Sequence, residues 1–327
     1  MEAEKASRWR WGVNRWIVLG LIILNAIFAY RLFPPIAPHV QLPAEPIFPI
    51  TLPAVGEFVV TNTIIATLIA DVVLFLLAFF VWRAVRRGDQ ILTGITGVLE
   101  AMTDALFSLN ESTAGKWGKT IFVWMATIVF LVLIVNWTEL VPGVDSIGKF
   151  DAHHIEHPEE CTFDTFHIGS LEVVAVGGEP ECSAAVVPFV RVASTDLNFT
   201  IALALISVFM TQVIGVRALG ASYFTKFFNS KTLFTAPMFG VINFLVGLLE
   251  AILEFAKILS FGFRLFGNIF AGSILLFVVG MLVPVFLQSG VLLFEWFVGI
   301  IQAIVFGLLT LIFMSLATVS HSDEEGH

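Results

Sequence analysis

The chain has 327 residues, of which 57% are hydrophobic and 13% are charged, and its formal net charge is −9. Soluble domains average about 45–50% apolar and about 25% charged residues, so this composition excludes an ordinary soluble protein and indicates an integral membrane protein. The acidic balance and the scarcity of Lys and Arg clusters argue against a nucleic-acid-binding surface. The sequence contains no Gly-x4-Gly-Lys-Ser/Thr, so it lacks a nucleotide-binding loop of that type.

Six apolar segments follow one another along the chain, each long enough to cross a hydrocarbon core of about 30 Å. They cover roughly residues 14–33, 58–82, 119–141, 198–216, 238–282 and 291–319. As one straight helix the fifth would be ~67 Å long at about 1.5 Å per residue, so it either tilts strongly or turns near residues 280–284. The expected fold is therefore all-α, with about six membrane helices and a long tilted helix hairpin at the C-terminus.

The first apolar segment has two interpretations. Its basic start and apolar core are typical of a cleaved signal peptide, but no clean small-x-small cleavage site follows it, which favours a retained membrane helix. With the helix retained and the N-terminus inside, 12 basic residues fall in inside segments and only three, Arg31, Lys149 and Arg191, fall outside. The positive-inside rule then predicts that both termini are cytoplasmic.

Two segments between the apolar stretches have patterns of their own. Seven prolines within residues 34–53 exclude a helix and predict an extended external crossing. Across residues 88–113, apolar side chains recur at helical spacing among acidic ones, which predicts an amphipathic helix on the cytoplasmic surface. We therefore expect residues 1–57 to form an extra membrane helix and Pro-rich segment. Residues 58–327 would form the main membrane domain, with an external loop insertion at about 142–197.

Polar side chains mark one face of the fifth segment. At 100° per residue, the residues within about 40° of Arg264 are Glu250, Lys257, Ser260 and Asn268, with Glu254 at the edge of that face and Ser273 opposite. Arginine keeps its charge at physiological pH because its pKa is very high, and placing it in a bilayer costs at least about 2.5–3.5 kcal/mol. A polar stripe leading to a fixed charge predicts an aqueous half-channel that ends at an electrostatic barrier. The acidic residues and Lys257 could instead lie at the cytoplasmic interface and snorkel.

The last segment carries Glu295 and Gln302, which share a helical face because they are seven residues apart. Gln302 has apolar neighbours, so it is a candidate for a hydrogen bond across a helix interface. Glu295 is either an interfacial carboxylate or, if it is buried beside Ser273 or Asn268, a group that relays protons.

Four sequence motifs point to one family. The stretch Ser260-Phe-Gly-Phe-Arg264-Leu-Phe-Gly-Asn268 within a hydrophobic helix resembles the a subunit of the membrane sector of F-type ATP synthases. The resemblance extends to Asn136-Trp-Thr-Glu139-Leu-Val-Pro142, to Thr195-Asp196-Leu-Asn198-Phe-Thr200 and to Gln302-Ala-x-x-Phe306. It covers roughly residues 55–142 and 190–320, so the first helix and the Cys- and His-containing loop are additions to the family pattern.

The resemblance implies a proton-translocating stator subunit of the bacterial inner membrane that is not an enzyme on its own and needs no cofactor. Its partners would be a rotating ring of c subunits, b-type peripheral stalk subunits and membrane lipid. Arg264 would separate two half-channels and act on the ring carboxylates. The cytoplasmic path would use Glu250, Ser260, Glu254 and Lys257, and the external path would use Asn268, Glu295, Gln302, Ser273, Glu139, Asp196 and Asn198.

The chain departs from the family at the external path. Some members carry Glu at the position of Ser273 and His at the position of Glu295, whereas here the carboxylate stands at the second position and neither residue is His. The external pairing chemistry therefore has to rely on a single carboxylate. The sequence leaves open whether H⁺ or Na⁺ is carried, and we favour H⁺.

The external loop contains both cysteines, Cys161 and Cys182, which favours a disulfide because they face an oxidising compartment. A metal site that also uses its histidines is an alternative, although their spacing matches no standard pattern. Residues 171–176 are expected to form a strand, which predicts a small hairpin over the channel mouth.

One competing function belongs to a different class. A stand-alone secondary transporter could use Arg264 to bind an anionic substrate. Such transporters are commonly built from inverted repeats, and the Arg-Leu-Phe-Gly-Asn segment has no counterpart in the first half of the chain.

Overall fold

Helices account for most of the chain. The computed structural model describes residues 15–21, 23–24, 43–52, 56–87, 94–141, 144, 147–150, 161–168, 171–178, 186–226, 237–282 and 286–319. Within this part there are six helices of 20 residues or more and three two-stranded sheets. The all-α prediction is therefore confirmed in part: six long helices are described, one of them the predicted amphipathic helix, and three small sheets are present as well.

The six long helices comprise five that follow apolar segments and one, Ile95–Ala114, at the predicted amphipathic segment. They are α1 (Asn62–Arg87), α2 (Ile95–Ala114), α3 (Gly118–Trp137), α4 (Leu197–Leu219), α5 (Pro237–Leu282) and α6 (Phe286–Leu316). A 3₁₀ segment, Gly220–Lys226, directly follows α4. Four helical stretches of the described chain are long and apolar enough to cross a membrane, namely Asn62–Arg87, Ile95–Leu140, Leu197–Leu219 and Leu287–Leu316.

Three predicted segments compare with the structure as follows. The span expected to begin at residue 58 begins at Asn62, because Gly56–Thr61 forms a strand instead. The amphipathic helix expected from residue 88 is described from Ile95, since residues 88–93 lie outside the described part. Residues 15–21 and 23–24 are helical, and the rest of the first apolar segment also lies outside it.

The long fifth segment is one continuous helix. α5 has 46 residues, which corresponds to ~69 Å at about 1.5 Å per residue. Residues 283–285, which separate α5 from α6 and near which the alternative turn was expected, lie outside the described part. The strong tilt of this helix remains a prediction.

The chain divides into two compact units. One comprises residues 1–40, 149–187 and 272–295, and the other comprises residues 41–148, 188–271 and 296–327. The larger unit has its core around α3, which is apolar on all sides, a pattern typical of a helix enclosed by others. Ile121, Met125, Val129 and Val132 of α3 are almost fully buried, and side chains from the other five helices join the same cluster.

The described strands include two β-hairpins, one in each unit. In the larger unit, β1 (Pro46–Leu52) pairs antiparallel with β2 (Gly56–Thr61), so the described part of the Pro-rich segment is extended as predicted. In the smaller unit, β4 (Cys161–Ile168) pairs antiparallel with β5 (Leu171–Gly178), which confirms the strand expected at residues 171–176. The short strands β3 (Gly148–Phe150) and β6 (Val186–Pro188) form the third sheet.

The external loop is described only in part. Cys161 begins β4, but Cys182 and three of the loop's histidines lie outside the described residues. The Cys161–Cys182 disulfide therefore stays a prediction. Among the residues that the structure describes, no group of three or more His, Cys, Asp or Glu is placed to hold a metal ion.

Candidate functional site

Arg264 lies on the exposed face of α5. Its neighbours on that face, Ser260 and Asn268, are also exposed, whereas Phe261 and Leu265 point into the core of the larger unit. The guanidinium Nη2 donates a long hydrogen bond of 3.4 Å to Ser260 Oγ, one turn earlier. The helix thus directs a permanent positive charge away from the core, on a face that the described chain leaves uncovered.

The apolar residues around Arg264 are exposed as well. Leu253, Phe255, Leu259 and Phe263 are each more than half exposed. In a membrane protein, such exposed apolar residues contact lipid or a partner subunit. An unpaired charge within a membrane is costly. A single guanidinium in apolar surroundings is therefore suited to pairing with an anionic group of a partner subunit.

The predicted cytoplasmic group is brought together by α5 and α4. Glu254 and Lys257 form a salt bridge of 2.7 Å between Oε1 and Nζ, and their side chains are only 12% and 24% exposed. The other oxygen of Glu254, Oε2, accepts a hydrogen bond of 3.0 Å from Gln212 Nε2 of α4. The Lys257 ammonium also lies 4.6 Å from the ring centroid of Phe313 on α6. Glu254 and Lys257 are therefore partnered inside the protein, and Glu250, one turn earlier, is half-buried.

Tyr223 extends this group and was not predicted. It lies in the 3₁₀ segment after α4, is only 2% exposed, and its hydroxyl donates a 2.7 Å hydrogen bond to Gln212 Oε1. Burial, followed by the negative charges of Glu254 and Glu250, raises the pKa of Tyr223 to about 12. A lone Gln within the apolar α4 was the sequence signal that could have indicated this connection.

Glu295 is the buried carboxylate of the smaller unit. It is 4% exposed, and its carboxylate fits against Gly272 of α5 so closely that a Cβ at residue 272 would overlap it. Among the described residues Glu295 Oε2 has no hydrogen-bond partner. Burying an ionised carboxylate without a partner costs far more than burying the neutral acid, so this group is suited to carrying a proton. The expected position of Glu295 beside Ser273 or Asn268 stays a prediction.

A second polar group lies at the N-terminus of α4. Asp196 is the N-cap, accepting 2.9 Å and 3.0 Å hydrogen bonds from the Asn198 backbone and from Thr63 Oγ1 of α1. Nearby in sequence, Ser194 Oγ donates a 2.6 Å bond to Asn136 Oδ1 at the end of α3. The Ser194–Asn136 bond thus connects one family-like motif to the residue just before another, and both side chains are buried.

Other predicted residues are placed as follows. Glu139 is buried with an exposure of 6%, and Gln302 and Ser273 are half-buried. The Asn198 residue is exposed. The sequence analysis did not predict Thr63 or Ser194. Two features could have indicated them: a Thr at the start of an apolar span, and a Ser directly before the Thr-Asp motif.

Glu45 and Asn62 add a further buried pair that the sequence did not indicate. The Asn62 side chain donates from Nδ2 to the Glu45 carboxylate at 3.2 Å, and its Oδ1 accepts from the Glu45 backbone at 3.2 Å. Both residues are buried, with exposures of 7% and 0%. This pair ties the segment before β1 to the first residue of α1.

Comparison with known proteins gives consistent matches. A family model described as ATP synthase A chain matches residues 64–315. The ATP synthase subunit a of Mycobacterium bovis is 27% identical over 277 residues, covering 83% of this chain and 92% of that protein. Its counterpart in Moorella thermoacetica is 23% identical over 267 residues, covering 82% and 95%. That of Gloeobacter violaceus is 27% identical over 255 residues, covering 77% and 82%.

Proposed function

Because the chain belongs to the ATP synthase A chain family, we propose that Arg264 separates two offset aqueous half-channels that serve the carboxylates of a rotating ring. Membership in the family makes the chain a non-catalytic proton-channel subunit of the rotary complex, and part of its stator. Its residues would form three parts: the cytoplasmic half-channel, the external half-channel and the barrier between them. The observation that carries it is the single exposed guanidinium on the apolar face of α5.

Arg264 would act through its charge. A ring carboxylate that reaches the guanidinium is stabilised in its ionised form. The same carboxylate surrounded by lipid is favoured in its neutral form, since an unpaired ion there is costly. Movement of the ring between these surroundings therefore couples protonation to position. The driving free energy is about 2.3 kcal/mol per proton for each 100 mV of membrane potential.

The cytoplasmic half-channel would run along α5. Ser260, which accepts a hydrogen bond from Arg264, lies on the exposed face, followed by the paired Lys257 and Glu254 and then by Glu250. These groups give a proton a succession of polar partners over about four helical turns. The salt bridge between Glu254 and Lys257 supports a role for both residues within the half-channel, as opposed to snorkelling to the cytoplasmic interface.

The external half-channel would use two buried groups. One is the Glu295 carboxylate, whose Oε2 has no hydrogen-bond partner among the described residues, and Ser273 belongs to the same unit. Asn268 and Gln302, which belong to the other unit, are further residues that we assign to this path. The other is the polar group at the start of α4, formed by Asp196 with Asn198, and buried Glu139 is a further residue that we assign to this path. Each contains an acidic side chain that is at most 7% exposed, and such side chains are rarely buried unless they are paired or functional.

The partners would be the c-subunit ring on the Arg264 face and b-type stalk subunits elsewhere, in a bacterial inner membrane with both chain termini in the cytoplasm. Residues 1–57 would be an addition to the family domain at residues 58–327. The apolar exposed surface of α5 supports a large membrane partner, since several large side chains there are uncovered in the single chain.

The test is ATP-driven proton pumping in inverted membrane vesicles, comparing the native complex with Arg264→Ala assembled to the same level. We expect coupled pumping to fall to background and a passive leak through the membrane sector to appear, because no fixed charge then separates the half-channels. Arg217→Ala, which removes an exposed arginine at the end of α4, serves as the matched control and should pump normally. Native pumping by Arg264→Ala would show that this arginine is not the barrier.

A further inference from the structure

Four polar side chains from three successive segments form one hydrogen-bonded chain near the middle of α5. Tyr223 Oη donates to Gln212 Oε1, Gln212 Nε2 donates to Glu254 Oε2, and Lys257 Nζ donates to Glu254 Oε1, at 2.7, 3.0 and 2.7 Å. We call these four residues the Tyr–Gln–Glu–Lys cluster. Three hydrogen bonds therefore connect the tyrosine to the lysine through Gln212 and Glu254.

The tyrosine end of the cluster is held rigidly. The ring of Tyr223 lies on Gly215 of α4, where any Cβ would overlap it, and only 2% of the residue is exposed. Because the pKa of Tyr223 is raised to about 12, its hydroxyl keeps its proton at every physiological pH. Tyr223 thus presents a permanent O–H donor to Gln212.

That donor fixes which way the Gln212 amide faces. An ionised carboxylate only accepts hydrogen bonds, so Glu254 needs the NH₂ side of the amide. The amide oxygen then faces Tyr223, and the tyrosine hydroxyl satisfies it. The opposite orientation would place two oxygens together at Glu254, which is unfavourable. Tyr223 and Gln212 therefore act on Glu254 as one unit.

Glu254 has charged and aromatic residues near it on two helices. On α5, Lys257 supplies the positive charge and Glu250 a second carboxylate one turn away. From α6, the ring of Phe313 lies against the Lys257 ammonium and carries no charge. Glu254 is thus the carboxylate whose two oxygens are both held by donors on named side chains.

We propose that Gln212 and Tyr223 are positioning residues that hold Glu254 as the proton-accepting carboxylate of the cytoplasmic half-channel. The inference rests on the proposed function and adds two residues to it. A proton arriving from the Arg264 side binds to a Glu254 oxygen, and the same carboxyl group later releases a proton to water on the cytoplasmic side. Gln212 and Tyr223 keep their own protons throughout, and Lys257 stays charged as the counter-ion.

The experiment measures passive proton flux through the membrane sector in vesicles from which the catalytic sector has been stripped, over a range of cytoplasmic pH. Tyr223→Phe removes one hydroxyl and Gln212→Leu removes the amide. Each should lower flux by about three- to tenfold, the range of one lost hydrogen bond. The flux–pH profile of Gln212→Leu should change toward that of Glu254→Gln. Combined with Glu254→Gln, neither change should lower flux further, because the group they position is gone.

The matched control breaks a buried hydrogen bond that does not touch the cluster. Ser207 and Thr310 share a 2.8 Å hydroxyl–hydroxyl bond between α4 and α6. Ser207→Ala with Thr310→Val should keep the native flux–pH profile, even if assembly falls slightly. All fluxes are divided by the amount of assembled complex, and the isosteric Tyr223→Phe decides the outcome if Gln212→Leu assembles poorly.

Three results would overturn the inference. Native flux at every pH in Tyr223→Phe would do so, as would native flux in Glu254→Gln. An equal loss with and without Glu254→Gln, at an unchanged pH profile, would show that the cluster only supports the fold. If Arg264→Ala abolishes coupled pumping in those cases, the proposed function stands without the inference. If Arg264→Ala pumps normally, both are wrong.

Discussion

At the scale of single residues, Glu295 combines burial with an oxygen that has no partner among the described residues. Replacing it by Gln keeps the shape and removes the exchangeable proton. We expect Glu295→Gln to lower both ATP-driven pumping and passive proton flux by at least about tenfold, since a positioned proton-transfer group typically contributes 10²–10⁴-fold. Flux in stripped vesicles is the direct measurement.

The same chemical change at an exposed site is the control. Glu100 lies on the exposed face of α2, so Glu100→Gln should leave flux at the native value. Equal flux in Glu295→Gln and the native complex would show that Glu295 is a buried structural carboxyl group.

Tyr223 gives a stability prediction with a definite sign. Its pKa in the folded protein is about 12, compared with an ordinary value of 10.0, so the folded state holds this proton more tightly than the unfolded state. The resulting contribution to stability is complete below pH 10 and is lost as the pH rises toward 12. Between about pH 9 and pH 11 the native complex should lose about 1 kcal/mol more stability than Tyr223→Phe.

The measurement is the thermal unfolding midpoint in detergent at several alkaline pH values. Other groups also titrate there, and comparison with Tyr223→Phe cancels them. Parallel curves for the two proteins would mean that Tyr223 ionises at its ordinary pKa when folded.

Single residues also show what sequence reasoning could reach. The face shared by Ser260, Arg264 and Asn268 follows from helical spacing alone, and the structure has it. The contacts of Gln212 with Glu254 and of Ser194 with Asn136 join residues 42 and 58 positions apart. Helical periodicity relates only positions on one helix, so these pairings needed the tertiary structure.

At the scale of helices and strands, α3 and α6 pack through a glycine. A Cβ at Gly307 of α6 would overlap the side chain of Val129, which is 1% exposed in the core. Gly307→Ala should therefore destabilise the subunit by about 1–3 kcal/mol through overpacking. The expected result is a lower unfolding midpoint in detergent and less assembled complex.

Gly290→Ala is the matched control on the same helix. No atom lies within 4 Å of the position of its Cβ, so the substitution should be neutral or stabilising by up to about 1 kcal/mol through helix propensity. A loss of stability equal to that of Gly307→Ala would show that glycine at these positions matters for the backbone and not for packing.

Elements were predicted well where the apolar pattern was long. The spans of α1, α3, α4, α5 and α6 each agree with an apolar segment within a few residues. The hairpin of β1 and β2 was missed because the apolar residues just before Asn62 continue the composition of the helix. Hydropathy does not distinguish a strand from a helix in so short a run.

At the scale of the whole molecule, the distribution of Lys and Arg predicts that both termini lie in the cytoplasm. A fluorescent protein that folds only in the cytoplasm should fluoresce when fused after His327, and should stay dark when inserted within residues 142–197. An N-terminal affinity tag should remain on the mature subunit if the first segment is a retained helix. Loss of the tag would show that this segment is cleaved.

The close contact of Gly215 with Tyr223 has a consequence for the evolution of the chain. A side chain at residue 215 and an aromatic ring at residue 223 cannot occupy the same space, so the two positions are not free to change independently. In related chains that carry a larger residue at the first position, we expect a small residue at the second. Positions 215 and 223 should therefore covary across an alignment of relatives. A natural substitution at one of them should usually occur together with a substitution at the other.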